Sequence, residues 1–129
     1  MSHHRETVTA AGAPKAAGPY SHAVKSNGVV YLSGQTPIDP STGSLVAGSI
    51  GDQARRVLDN LAIVAEAAGG KLQDAVRIGI YVTDISTFKD VNEAYATYFE
   101  SEPPARTTSG VASLPLGAEI EMDAIVALS

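Results

Sequence analysis

The sequence predicts an α+β fold: a mixed β-sheet with two helices packed on one face. Three observations predict it. Asn27-Gly28 sits between two strand-like runs, His22 to Ser26 and Val29 to Ser33. An Asn-Gly link is the strongest short hairpin signal, because a type I′ turn needs positive φ at both central residues. After Ser49, apolar residues recur at helical spacing, and two later stretches alternate with the period of two of half-buried strands.

The elements follow in order. Thr7 to Thr9 is a candidate first strand, and Ala11 to Pro19 reads as an ordered loop rich in Ala, Gly and Pro. The hairpin comes next, and Ser33-Gly34-Gln35 ends its second strand. Asp39 to Gly43 is a turn. Ser49 is placed to cap a helix, with Asp52 three residues on. Ile50, Ala54, Val57, Leu61, Val64 and Ala68 form its apolar face, and Gly69-Gly70 supplies the stop. Val76, Ile78, Ile80 and Val82 then alternate with Arg77, Gly79 and Tyr81, which predicts a strand.

A second helix is predicted from near Ser86, with Phe88, Val91, Tyr95, Tyr98 and Phe99 as its apolar stripe. Pro103-Pro104 prevents it from continuing. Thr107 to Ala112 and Ile120 to Leu128 are the last two strands. Along the final one, Ile120, Met122, Ala124 and Val126 share a face, and Glu121 and Asp123 share the other. With the first set under the helices, the carboxylates stand on the uncovered face beside Val, Ile and Tyr residues. Such a face ordinarily meets a partner chain, so an oligomer with polar sites at its seams is expected.

Composition narrows the chemistry. The 129 residues fit one domain, residues 1–129, and are 44% hydrophobic and 18% charged. A net charge of −5 and the absence of a basic stripe argue against a nucleic-acid surface. There is no cysteine, so disulfides and thiolate chemistry are excluded. Nothing resembles a signal peptide or a membrane span, and a cytoplasmic location is expected. The histidines are His3, His4 and His22; His3-His4 carry no weight here, and no zinc pattern exists. A Ser-His-Asp site would have to use His22, with no nucleophile elbow near it. No Gly-rich phosphate loop appears, so no cofactor and no metal are expected.

Several residues stand out as candidates. Arg106 follows the stiff Pro103-Pro104-Ala105 lead-in. Its planar, always-charged fork matches a carboxylate, although a surface arginine or a structural ion pair explains it as well. Glu121 lies in an apolar strand, where burial would raise its pKa and suit it to proton transfer; the alternative is a solvated outer-face glutamate. Asn92 falls on the apolar side of the second helix and needs partners, either a loop or a ligand. Tyr20, at the end of Gly18-Pro19-Tyr20-Ser21, either overhangs a cleft or packs on the core. Gly34 permits close backbone approach, to a ligand or within a turn.

Together these segments resemble the RidA (YjgF) family, also labelled L-PSP endoribonuclease, from about Thr7 to Ala127. The resemblance rests on Ala13-Pro14-Lys15-Ala16-Ala17-Gly18-Pro19-Tyr20-Ser21, Leu32-Ser33-Gly34-Gln35, Asp59-Asn60-Leu61, Val82-Thr83-Asp84, Val91-Asn92-Glu93-Ala94-Tyr95, Pro104-Ala105-Arg106-Thr107, Leu114-Pro115 and Ile120-Glu121-Met122-Asp123-Ala124. It implies a chorismate-mutase-like fold and a homotrimer with sites between subunits. It implies hydrolysis of reactive enamine and imine intermediates, such as 2-aminoacrylate, to 2-oxo acids and ammonia. Arg106 would hold the substrate carboxylate and Glu121 would position a water and move protons. Gly34 and Thr108 would contact the substrate through their backbones, with Tyr20, Ser33 and Asn92 shaping the pocket. The chain departs from the family at Thr108, where some members have cysteine, at Ser109-Gly110, and at Leu116-Gly117, where Lys-Gly or Lys-Asp is more usual. Two other readings stand beside this one: a non-catalytic carboxylate-binding or chaperone-like trimer, and an endoribonuclease.

Overall fold

Asn27 and Gly28 hold φ of 52° and 79°, so the Asn-Gly link closes the predicted hairpin as a type I′ turn requires. A computed structural model describes residues 5–129, leaving His3-His4 outside the described residues. In chain order the elements are β1 (Arg5–Val8), β2 (Ala23–Ser26), β3 (Val29–Gln35), β4 (Ile38–Asp39), β5 (Ser44–Leu45), α1 (Ile50–Ala67), β6 (Ala75–Val82), α2 (Phe88–Ala96), β7 (Ala105–Gly110) and β8 (Ile120–Ala127). Six strands form one sheet in the order β1-β2-β3-β8-β6-β7. Only β6 and β7 run parallel, which makes the sheet mixed. β4 and β5 form a separate small hairpin around the Asp39 turn, where Asp39 Oδ1 accepts from both the N–H and the hydroxyl of Ser41.

α1 forms as its apolar spacing predicts. Ser49 Oγ accepts from the Asp52 N–H at 3.1 Å, satisfying one of the free N-terminal donors. Val57, Leu58, Leu61 and Val64 are fully buried where α1 packs on β3, β8 and α2. Gly69, at φ 90°, turns the chain out of the helix. Along β8 the predicted alternation holds: Ile120, Met122, Ala124 and Val126 are buried, and Glu121, Asp123 and Ile125 face the open side.

Five expectations shift. The first strand is Arg5–Val8, not Thr7 to Thr9, because its pairing with β2 begins at Arg5↔Ser26. Val76 is 50% exposed and so leaves the alternation with the buried Ile78, Ile80 and Val82; the β6–β8 register slips between Ala75 and Arg77, and one extra residue moves side chains to the opposite face. The segment near Ser86 is a short 3₁₀ turn, Ile85–Thr87, capped by Asp84, and α2 begins only at Phe88. Phe88 is 41% exposed instead of buried. The strand expected at Thr107 to Ala112 is Ala105–Gly110, because pairing with β6 starts at Arg77↔Ala105. Arg106 therefore lies within a strand. No helix among the described residues is long and apolar enough to cross a membrane.

Candidate functional site

Arg106 lies on β7, an edge strand, paired with Ile78 of β6. Ile78 is fully buried, and residues paired across a ladder share a face, so Arg106 projects to the helix side. Its guanidinium carbon sits 4.9 Å from the Tyr95 ring centroid and 5.4 Å from that of Phe88. Cation–π contact of this kind holds a guanidinium without using its donors. Among the described residues Arg106 makes no ion pair. The guanidinium is thus held between two rings, with no acidic partner among the described residues. A cavity of about 380 Å³ opens beside it, lined in part by Asn92, Tyr95 and Pro104. Three side-chain atoms of this region, Asn92 Oδ1, Tyr95 OH and Thr108 Oγ1, are buried with no hydrogen-bond partner among the described residues. Buried polar atoms are normally paired, so the arrangement around Arg106 is incomplete as it stands.

Glu121 occupies the other face. It pairs with Tyr81 and alternates with the buried Ile120 and Met122. Burial first, and the charge of Asp123 second, push its carboxyl above the usual carboxylate range, as a proton-exchanging group needs. β3 bulges between Leu32 and Gln35 where it meets β8. The bulge brings Gly34 against the Glu121 side chain: a Cβ added at Gly34 would stand 3.0 Å from Glu121 Cδ. Glycine leaves the carboxylate where it is, whereas any Cβ there would displace it. Tyr20, Gly34 and Glu121 line one small cavity of about 60 Å³, together with Pro14, Lys15 and Leu116. The Tyr20 hydroxyl accepts from the Ala17 N–H at 3.1 Å, so its ring stands as a braced wall. Ser33 Oγ donates to the Ser21 carbonyl at 2.6 Å, which fastens the loop that carries Tyr20.

The sheet therefore separates the candidates into two groups. Arg106, Asn92 and Thr108 gather on the helix side of the β7 edge; Tyr20, Gly34 and Glu121 gather around the open face. One chain does not bring Arg106 and Glu121 together. A larger cavity, about 600 Å³ between Gln73-Asp74 and Thr97 to Glu102, contains neither.

Three supporting residues escape a reading of the sequence alone. His22 is buried; its Nδ1 accepts from the Ala10 N–H at 2.9 Å, and its Nε2 meets the Pro14 carbonyl at 2.8 Å. It ties down both ends of the segment that leads to Tyr20. Asn60 is fully buried on α1. It donates to the carbonyls of Thr36 and Ile38 and accepts from Arg56, pinning the chain just after Gly34. A polar residue among Val57, Leu61 and Val64 was the signal for it. Tyr95 reads as plain core, yet it is the platform under Arg106.

Fold and site together define an α+β domain of the chorismate-mutase-like type, with an arginine held between two rings on one face of its sheet and a pKa-shifted carboxylate on the other. Comparison with known proteins gives the family. Residues 10–128 match the family described as endoribonuclease L-PSP. A RutC family protein of Pyrococcus horikoshii is 43% identical over 121 residues, covering 94% of this chain and 96% of that protein. The mouse 2-iminobutanoate/2-iminopropanoate deaminase is 40% identical over 121 residues, covering 94% and 90%. The crystal structure of RidA from an Antarctic Psychrobacter superposes with a TM-score of 0.90 at 41% identity, covering 95% of this chain and 99% of that one. The chain belongs to the RidA (YjgF) family.

Proposed function

We propose that this protein is an imine deaminase that hydrolyses 2-imino acids to 2-oxo acids and ammonia, in sites built between the subunits of a homotrimer. The observation that carries this reading is the separation of Arg106 from Glu121 by the sheet. A free guanidinium on one edge and a proton-exchanging carboxylate on the open face act on one small molecule only when a second copy supplies the missing half. The open face also exposes Tyr31 and Val76, apolar surface that assembly would cover.

In the assembled site Arg106 of one copy holds the substrate carboxylate through two charge-assisted hydrogen bonds, each worth about 1.5–3 kcal/mol. Glu121 of the other copy takes a proton from water as the oxygen bonds to the iminium carbon. It returns the proton to the nitrogen of the resulting carbinolamine. The C–N bond then breaks and ammonia leaves as the hydroxyl gives its proton to Glu121 and becomes the carbonyl; that proton passes to the ammonia, which departs as ammonium. The imine carbon is already electrophilic, so neither a covalent nucleophile nor a cofactor is required. Proton transfer of this kind contributes about 10²–10⁴-fold.

The test couples threonine dehydratase to this protein and follows 2-oxo acid release. Acceleration that is lost in Arg106→Ala supports the reading. No acceleration, or acceleration untouched by Arg106→Ala, refutes it; 2-oxo acid binding without turnover would point instead to a carboxylate-binding trimer. The family description names an endoribonuclease, but a chain of net charge −5 offers little to a phosphate backbone.

A further inference from the structure

Between β1 and β2 the chain forms no helix or strand of its own, and this loop carries Tyr20 to the Glu121 cavity. Ordering so long a loop costs conformational entropy, which side-chain fasteners offset. At the loop's far end Ser33 holds two carbonyls, that of Ser21 with its hydroxyl and that of His22 with its N–H. The near end is held by the His22 side chain, which folds back on Ala10 and Pro14. His22 and Ala10 are both buried, so water does not replace their bond.

The partners fix the state of the ring. The Ala10 N–H only donates, so Nδ1 must present its lone pair. The Pro14 carbonyl only accepts, so Nε2 must carry the proton. Only the neutral ring makes both bonds, because an imidazolium would set two donors against each other at Ala10. Both nitrogens are thereby used. His22 lines the Glu121 cavity yet brings no free donor or acceptor to it. The ionisable groups that share that cavity with it are Lys15, Tyr20 and Glu121.

We propose that His22 is a positioning residue of the deaminase site: through one fixed tautomer it latches the loop that sets Tyr20 against the Glu121 cavity. This rests on the deaminase reading. Pro14, which accepts from the ring, and Lys15 beside it line the cavity themselves. The Ala17 N–H, a few residues on, braces the Tyr20 hydroxyl. Freeing Pro14 therefore loosens the stretch that carries the brace. Arg106 is held by β7, Phe88 and Tyr95 instead, so loss of the latch should lower kcat more than it raises KM.

The experiment is a double-mutant cycle read by coupled 2-oxo acid release. His22→Leu leaves the Ala10 N–H and the Pro14 carbonyl unpaired and should lower kcat about tenfold or more, with KM within about threefold of wild type. His22→Gln, whose amide offers one acceptor and one donor, should restore kcat to within about threefold. In a Tyr20→Ala background His22→Leu should cost less than about twofold more, because the wall it positions is already gone. Equal losses in the two backgrounds, or a glutamine variant as slow as the leucine one, overturn the proposal. If His22→Leu does not fold, His22→Asn, whose shorter amide reaches only one partner, takes its place in the cycle. Nitrogen NMR of the wild-type ring at mildly alkaline pH should show a protonated Nε2 and a bare Nδ1; the opposite tautomer overturns the proposal. A wild-type protein that hydrolyses no imine refutes the deaminase reading alone. The latch is then read from hydrogen exchange of residues 10–20, expected to be fast in His22→Leu and slow in His22→Gln; exchange that His22→Leu leaves unchanged overturns it.

Discussion

Replacing Gly34 with alanine tests the close approach of β3 to Glu121. The added Cβ would lie 3.0 Å from Glu121 Cδ and 3.3 Å from Cγ, where ordinary contact is 3.4–4 Å. It would lie closer still to Oε2. The carboxylate must therefore swing away by several tenths of an ångström to about an ångström. The obstacle is the far end of a flexible side chain, so the folding cost is small: an off-rotamer shift of about 0.5–1.5 kcal/mol. The catalytic cost is larger, because a misplacement of about 1 Å costs on the order of 10²-fold. Gly34→Ala is expected to lower kcat/KM for imine hydrolysis by about 10²-fold while the melting temperature moves only a few degrees. Coupled 2-oxo acid release gives the first quantity and calorimetry the second. Activity within twofold of wild type would refute the reasoning, because the carboxylate position would then be immaterial. Activity lost together with the fold would equally refute the claim that Glu121 gives way cheaply.

Arg106→Ala should cost about 3–6 kcal/mol of transition-state binding, since two charge-assisted bonds vanish; kinetics on the same substrate check it. Its folding stability should fall by only about 1–2 kcal/mol from the two lost ring contacts, read by urea titration. For Glu121, burial places the folded pKa above the ordinary 4.5. The folded state thus holds that proton more tightly than the unfolded state, and this stabilisation is present below 4.5 and lost as pH rises through the folded pKa. Glu121→Gln should therefore be more stable than wild type at neutral pH, and the advantage should fade on acidification; melting curves across pH measure it, and a constant difference would contradict the assignment. Leu61→Ala removes a fully buried side chain from α1 and should cost about 2–5 kcal/mol by chemical denaturation.

Much of the fold is legible in local chemistry. The Asn27-Gly28 turn, the Ser49 cap, the Gly69 stop and the alternation of β8 each depend on residues close in the chain. What escaped depends on distant partners. The bulge that turns Val76 outward arises from how β6 meets β8. Phe88 leaves its expected stripe at the first residue of α2, where its ring stands beside Arg106, eighteen residues on. At the site, Arg106, Glu121, Asn92 and Tyr20 are recognisable by type and context. His22, Asn60 and the Tyr95 platform are not, because their work is set by neighbours many residues away, such as Ala10 and Ile38.

By itself the sequence determined an α+β chain with two amphipathic helices, a hairpin, one arginine suited to a carboxylate and one glutamate suited to a proton. Periodicity and residue chemistry are local properties, and they are complete before the chain folds. Only the tertiary structure decided that Arg106 and Glu121 stand on opposite faces of one sheet. That follows from strand register, Arg106 against Ile78 and Glu121 against Tyr81. In a strand a shift of one residue reverses every face, and the register is set by pairing between segments far apart in the chain.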